Sequence, residues 1–264
     1  MMSGRSLHDA LLRVLTSAER RRRLRAGEAA PGVGAEEAAV LRAADGVRLA
    51  RLASFMGRHF YRERIVRLFA ASRALARRRG ADPLAILAGA AFDALLDAAE
   101  VGSAATAERV AALVEAALDP ALGGLPYARD LVAYEGALFR AEAGPRRWRD
   151  VADGPGGLPV RSAHARVCAL EWDVTGLVAA VRRGQEQLPE PARIPTRLLV
   201  ALGPGGRVNT VRCPEAVERL LVSLDGVRST AEAGEAVGIS EADATRLLRQ
   251  LAEVGAVEWR PTKP

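Results

Sequence analysis

The chain has 264 residues, enough to bury the cores of two domains; 49% are apolar but only 4% aromatic, which favours packed helices over a β-sandwich. Its net charge of +6 is unevenly spread: residues 1–80 hold 18 Arg against 7 acids, and residues 81–192 hold 10 against 16. No run of about 18 uncharged apolar residues exists, and His8, Asp9 and Arg13 interrupt the one candidate for a signal peptide, so a cytoplasmic protein without a membrane span is expected.

Ser6 to Leu15 predicts a short amphipathic helix. Thr16-Ser17-Ala18-Glu19 is a capping box for a second helix over Ser17 to Ala26, whose run Arg20, Arg21, Arg22, Arg23 and Arg25 reads as a solvated face or a partner contact. A short helix over Ala35 to Ala44 follows, then a long one from Asp45 to about Arg79 carrying Leu49, Leu52, Met56, Phe60, Ile65 and Leu68 at roughly helical spacing. Asp82-Pro83 opens a helix to about Glu100. Another spans about Ala104 to Leu118, stopping at Asp119-Pro120, and Pro126 opens a last one with Tyr127, Leu131, Tyr134 and Leu138 on one face. The turn-rich stretch Gly144 to Gly157 marks a domain boundary.

Beyond it, Ala163 to Trp172 reads as a strand expected to join a C-terminal sheet of three or four strands, and Asp173 caps a helix to Gln185. Pro189, Pro191 and Pro195 make the next segment an extended linker. From Thr196, two β-prone runs flank Gly203-Pro204-Gly205-Gly206, the signature of a hairpin. Three helices are expected after it, at Pro214 to Gly226, about Thr230 to Val237, and Ser240 to Val254, with a closing strand at Ala256 to Trp259. The fold class read from this is mainly α: an N-terminal multi-helix domain over residues 1–150, then a small α+β domain over 158–264 in the β-β-α-α-α-β order of a winged helix.

A DNA reader of that shape needs cations where its third helix meets phosphates, and here Glu241 and Asp243 stand at that point. Nucleic acid is therefore disfavoured as a partner, and a peptide laid along the hairpin edge fits better. The three histidines (His8, His59 and His164) have no partners at metal-ligand spacing, and no phosphate loop or nucleophile elbow is present. Neither a catalytic, a cofactor-binding nor a metal-binding residue is assigned, and Cys168 and Cys213 read as small buried residues.

The stretches DALLRVLTSAERRRRLRAG, EEAAVLRAADGVRLARLASFMGRHFYRERIVRLF, PYARDLVAYEGAL and HARVCALEWDVTGLVAAVRRG resemble partner proteins of multinuclear non-haem iron-dependent oxidases. Such pairs act in ribosomal peptide natural-product biosynthesis, as in the methanobactin and 3-thiaglutamate pathways. LLVSLDGVRSTAEAGEAVGIS with LLRQLAEVGAVEW is similar to precursor-peptide recognition elements typified by the pyrroloquinoline-quinone chaperone. The resemblance implies an adaptor without a cofactor of its own, the iron lying in the partner oxidase. The helical domain would dock on that oxidase, and the leader of a precursor peptide would add a strand beside Arg207 to Cys213, against the helix Ser240 to Val254. Val208, Thr210 and Arg212 on the strand, with Arg246, Leu247 and Arg249 on the helix, are then the expected peptide-binding residues. The usual recognition element has three strands before its helices; the helix at Asp173 interrupts that order and leaves open which strand is the free edge. A winged-helix DNA-binding regulator is the alternative, and an RNA adaptor using the Arg-rich front a third reading.

Overall fold

Side-chain caps set several helix starts in the computed structural model, which describes residues 4–142 and 157–261. The chain is mainly helical, 61% helix against 13% strand, with a small sheet region near the C-terminus. α1 (Gly4–Thr16) turns at Ser17 into α2 (Ala18–Arg25), and the Ser17 hydroxyl accepts from Arg20 N–H. α3 (Ala35–Ala43) and α4 (Gly46–Leu68) follow, the latter capped by Asp45, which accepts from Val47 and Arg48 N–H. Next come α5 (Ala70–Arg78), a 3-10 helix (Pro83–Ala88), α6 (Ala90–Ala98), α7 (Ala104–Leu122) and α8 (Ala128–Glu142).

Three helices differ from the sequence reading, each for a physical reason. The expected single helix from Asp45 to about Arg79 breaks at Phe69 (φ −98°, ψ 39°). Glu135 on α8 is fully buried, and its two carboxylate oxygens accept from Ala71 and Ser72 N–H at 2.8 and 2.9 Å. Those are the donors a helix leaves orphaned at its start, so a carboxylate 64 residues away begins α5 afresh. The Asp82–Glu100 helix divides at Gly89 (φ −84°, ψ 152°), which ends the 3-10 turn and starts α6. α7 runs through Pro120 to Leu122, because in the last turn only one intrahelical bond is forgone.

The Arg run of α2 is not a uniformly solvated face. Arg21 is 9% exposed and donates to the carbonyls of Val14, Leu15 (2.7 Å) and Leu96. Arg20 bonds the Pro31 carbonyl and pairs with Glu100, while Arg25 bonds the Gly46 carbonyl. Backbone bonds from Ala18 to Ala99 (3.0 Å) and from Val101 to Thr16 (2.7 Å) fasten the same corner to the α6–α7 connection.

Among the described residues five strands follow: β1 (Gly157–Arg161), β2 (Arg166–Leu170), β3 (Thr196–Leu202), β4 (Val208–Arg212) and β5 (Val257–Pro261). α9 (Thr175–Arg182) lies between β2 and β3, with Asp173 accepting from Thr175 N–H. α10 (Glu215–Ser223), α11 (Thr230–Glu235) and α12 (Glu241–Val254) stand between β4 and β5. β2, β3 and β4 form one antiparallel sheet in that order, so the Ala163–Trp172 strand does join the hairpin. β5 pairs instead with β1, in a separate two-stranded ribbon with Trp259 opposite Pro159. The predicted boundary at Gly144–Gly157 lies outside the described residues, apart from Gly157 at the start of β1.

The three-stranded sheet is covered on both faces. Leu170, Leu198 and Val200 bury themselves with Tyr61, Phe69, Phe92, Phe139 and the α9 residues Leu177 and Val178. Leu199 and Ala201 face the other way, into a second core with Leu220, Leu221, Leu248 and Leu251. A third, smaller cluster of Ala10, Val14, Leu24, Ala38 and Leu41 holds α1 to α3 together. Ser240 caps α12 by accepting from Asp243 N–H at 3.1 Å. Ser240→Ala is expected to lower unfolding stability by about 1 kcal/mol in urea denaturation; no measurable change would mean that the cap contributes nothing.

Candidate functional site

The hydrogen bonds of the β3–β4 ladder decide which backbone groups the sheet leaves open. Cys213 N–H donates to the Arg197 carbonyl at 2.9 Å and Gly203 N–H to the Arg207 carbonyl at 2.8 Å. In an antiparallel pair such bonded positions alternate with unbonded ones. In the observed register, with Val200 opposite Thr210, the N–H and C=O of Val208, Thr210 and Arg212 therefore point away from β3. β4 ends its sheet, and among the described residues no strand pairs with that outer edge.

The side chains on β4 divide between the two cores. Val208 packs against the helical core, and the Tyr134 hydroxyl on α8 lies 3.3 Å from the Thr210 hydroxyl. Burial of Tyr134 raises its phenol above the ordinary value, so it stays protonated and able to donate. Val208 and Thr210 thus offer an incoming chain their backbones, while their side chains are committed to the helical core. Arg212 is exposed, with no ion-pair partner among the described residues. On the opposite face Asn209 donates from Nδ2 to the Val254 carbonyl at 3.0 Å, tying β4 to the end of α12. Gly255 (φ 92°) completes that junction, since a Cβ there would collide with the Leu202 carbonyl.

The expected helix residues separate in the same way. Leu247 is partly buried against the second core. Arg246 is exposed and pairs with Asp243 at 2.5 Å, and Arg249 is exposed with no ion-pair partner among the described residues. Two unpaired cations, Arg212 and Arg249, are therefore available from the six residues singled out. Asn209 and Tyr134, which place β4 between its two cores, were not foreseen, although Tyr134 belongs to the apolar face read from the sequence.

Both cysteines are free thiols. Burial pushes Cys168 up to about 11 and raises Cys213 as well, so neither is a thiolate at neutral pH. Among the described residues no group of three or more His, Cys, Asp or Glu side chains could hold a metal ion, and no helix is long and apolar enough to cross a membrane. No protein-family model matches the chain, and no curated protein matches it either.

Proposed function

We propose that this chain is a non-catalytic recognition subunit that holds a ribosomally made precursor peptide for modification by a partner iron-dependent oxidase in the cytoplasm. Residues 158–264 act as a winged-helix-like recognition module, and the leader adds a strand along the outer edge of β4. The observation that carries the reading is that edge, where Val208, Thr210 and Arg212 leave their backbone groups unpaired and Arg212 is exposed with no ion-pair partner among the described residues. Strand addition draws affinity from main-chain bonds and selectivity from neighbouring side chains, which suits an acidic leader facing Arg212 and Arg249. The order of β2, β3 and β4 followed by α10, α11 and α12 supports it, α9 being an insertion after the first strand. The likeness to oxidase partner proteins supplies the identity of the enzyme.

The helical part, residues 1–150, then serves as the docking surface for the oxidase. Leu52, Phe55 and Val66 are exposed along one side of α4, with the exposed Arg48, Arg51 and Arg62 among them. An apolar stripe of that kind on a surface helix marks an interface with another protein.

The test reads the neighbouring genes for a short precursor and an oxidase, and measures binding of that precursor's leader by fluorescence polarisation. Arg212→Glu and Arg249→Glu are each expected to weaken binding by roughly ten-fold, without lowering the unfolding midpoint. Undiminished affinity in both variants, or sequence-specific retention of duplex DNA with a steep salt dependence, would count against the reading.

A further inference from the structure

The N-terminal corner, where α1, α2 and α3 meet the start of α4, leaves a pocket of about 290 Å3. Val14, Leu24 and Leu41, buried members of the small cluster that holds α1 to α3 together, form its apolar wall, and Leu49 of α4 adds to it. The charged part of the lining is all of one sign. Arg21, Arg25 and Arg42 reach the pocket, and no Asp or Glu is among the described residues that line it.

These guanidiniums are held in place without being neutralised. Arg25 donates to the Gly46 carbonyl at 3.2 Å, and Arg42 donates to those of Ala38 (3.2 Å) and Gly27 (3.3 Å). Neither has an ion-pair partner among the described residues, and each keeps N–H donors beyond those bonds. Asp45, next in the chain to the Gly46 that lines the pocket, is engaged elsewhere: it accepts from Val47 and Arg48 N–H and pairs with the Arg48 guanidinium at 3.6 Å. Burial lowers the proton affinity of Arg21; Asp97 opposes that shift, Arg25 adds to it, and the balance remains a lowering. The positive charge gathered here is thus under-compensated, and an anion is what would relieve it.

We propose that this pocket binds a small organic oxyanion, a carboxylate or a phosphate monoester, with its headgroup among Arg21, Arg25 and Arg42 and its apolar body against Leu24, Leu41 and Leu49. The planar fork of a guanidinium matches two oxygens of either headgroup. The valine and leucine wall favours an attached apolar body over a bare inorganic ion, because burying that body removes apolar surface from water. The volume stands at the lower edge of the roughly 300–1,000 Å3 typical of specific ligand sites, which restricts the occupant to a small molecule. A ligand bound there ties α2 and α3 to the start of α4, and it does not depend on the leader binding at β4.

The experiment titrates the full-length chain at low salt, by isothermal titration calorimetry, with phenyl phosphate, benzoate, inorganic phosphate and benzyl alcohol in turn. Expected is binding of phenyl phosphate, benzoate or both, roughly ten-fold or more tighter than inorganic phosphate, with none of the uncharged benzyl alcohol; whichever organic anion binds names the headgroup. Arg25→Gln and Arg42→Gln should each weaken that binding by roughly ten-fold. Arg219→Gln, the same change of charge at an exposed site on α10, should leave it as it was. Should Arg25→Gln fail to fold by circular dichroism, the exposed Arg42 carries the comparison. The proposal is overturned by no binding of either organic anion, by inorganic phosphate or benzyl alcohol binding as tightly, or by undiminished affinity in the folded variants.

Discussion

Between pH 4.5 and pH 8 the chain should lose about 3 kcal/mol of stability relative to its Glu135→Gln variant. Glu135 is fully buried, and burial raises its carboxyl from 4.5 to about 7 against the opposing bonds from Ser72 and Ala71 and the positive charge of Arg182. A carboxyl whose folded value lies above its unfolded one binds the extra proton in the folded state. Its contribution is therefore complete below pH 4.5 and is lost as the pH rises through 7. Gln at this position has no proton to lose, and it turns its amide towards one of the two N–H groups at the start of α5. That penalty is the same at every pH, so the pH dependence of the difference isolates the ionisation. Urea unfolding of both proteins across this range provides the check. Parallel stability curves would show that Glu135 does not titrate in the fold.

Arg21→Met should cost about 3 kcal/mol and release the N-terminal corner first. Its guanidinium satisfies the carbonyls of Val14 and Leu15 near the end of α1 and that of Leu96 in α6, so one side chain serves two helix ends. Methionine fills similar space but takes the donor from the Leu15 carbonyl and leaves those of Val14 and Leu96 only the long bonds from Ser17 (3.4 Å) and Ala99 (3.5 Å) N–H. Burial lowers the proton affinity of Arg21, and Asp97 opposes that shift. Denaturant melts should show the loss, and amide exchange should quicken in α1 and α2 before the α7–α8 core. A change below about 0.5 kcal/mol, the scale of an ordinary surface substitution, would mean that Arg21 is not what holds the corner.

The helices and the hairpin were legible because their signals are local: caps at Asp45, Asp82 and Ser240, apolar spacing, and Gly-Pro turns. What escaped depends on distant residues. The break at Phe69 is imposed by Glu135, which nothing near Phe69 announces. Arg21 reads as one cation in a run of five, and its burial follows from where α6 ends. β1 was missed because Pro159 interrupts its pattern, and its partner β5 lies about a hundred residues later. The two-period of β4 shows that Val208, Thr210 and Arg212 share a face, but not that the face belongs to the helical core.

Amide exchange of the full-length chain, with and without the precursor's leader peptide, tests the recognition reading most directly. Val208, Thr210 and Arg212 should slow markedly when the leader is added, while Asn209 and Val211, already bonded to β3, stay as they were. Unchanged exchange at those three amides in the presence of a leader that binds elsewhere, or slowing there only with duplex DNA, would contradict it.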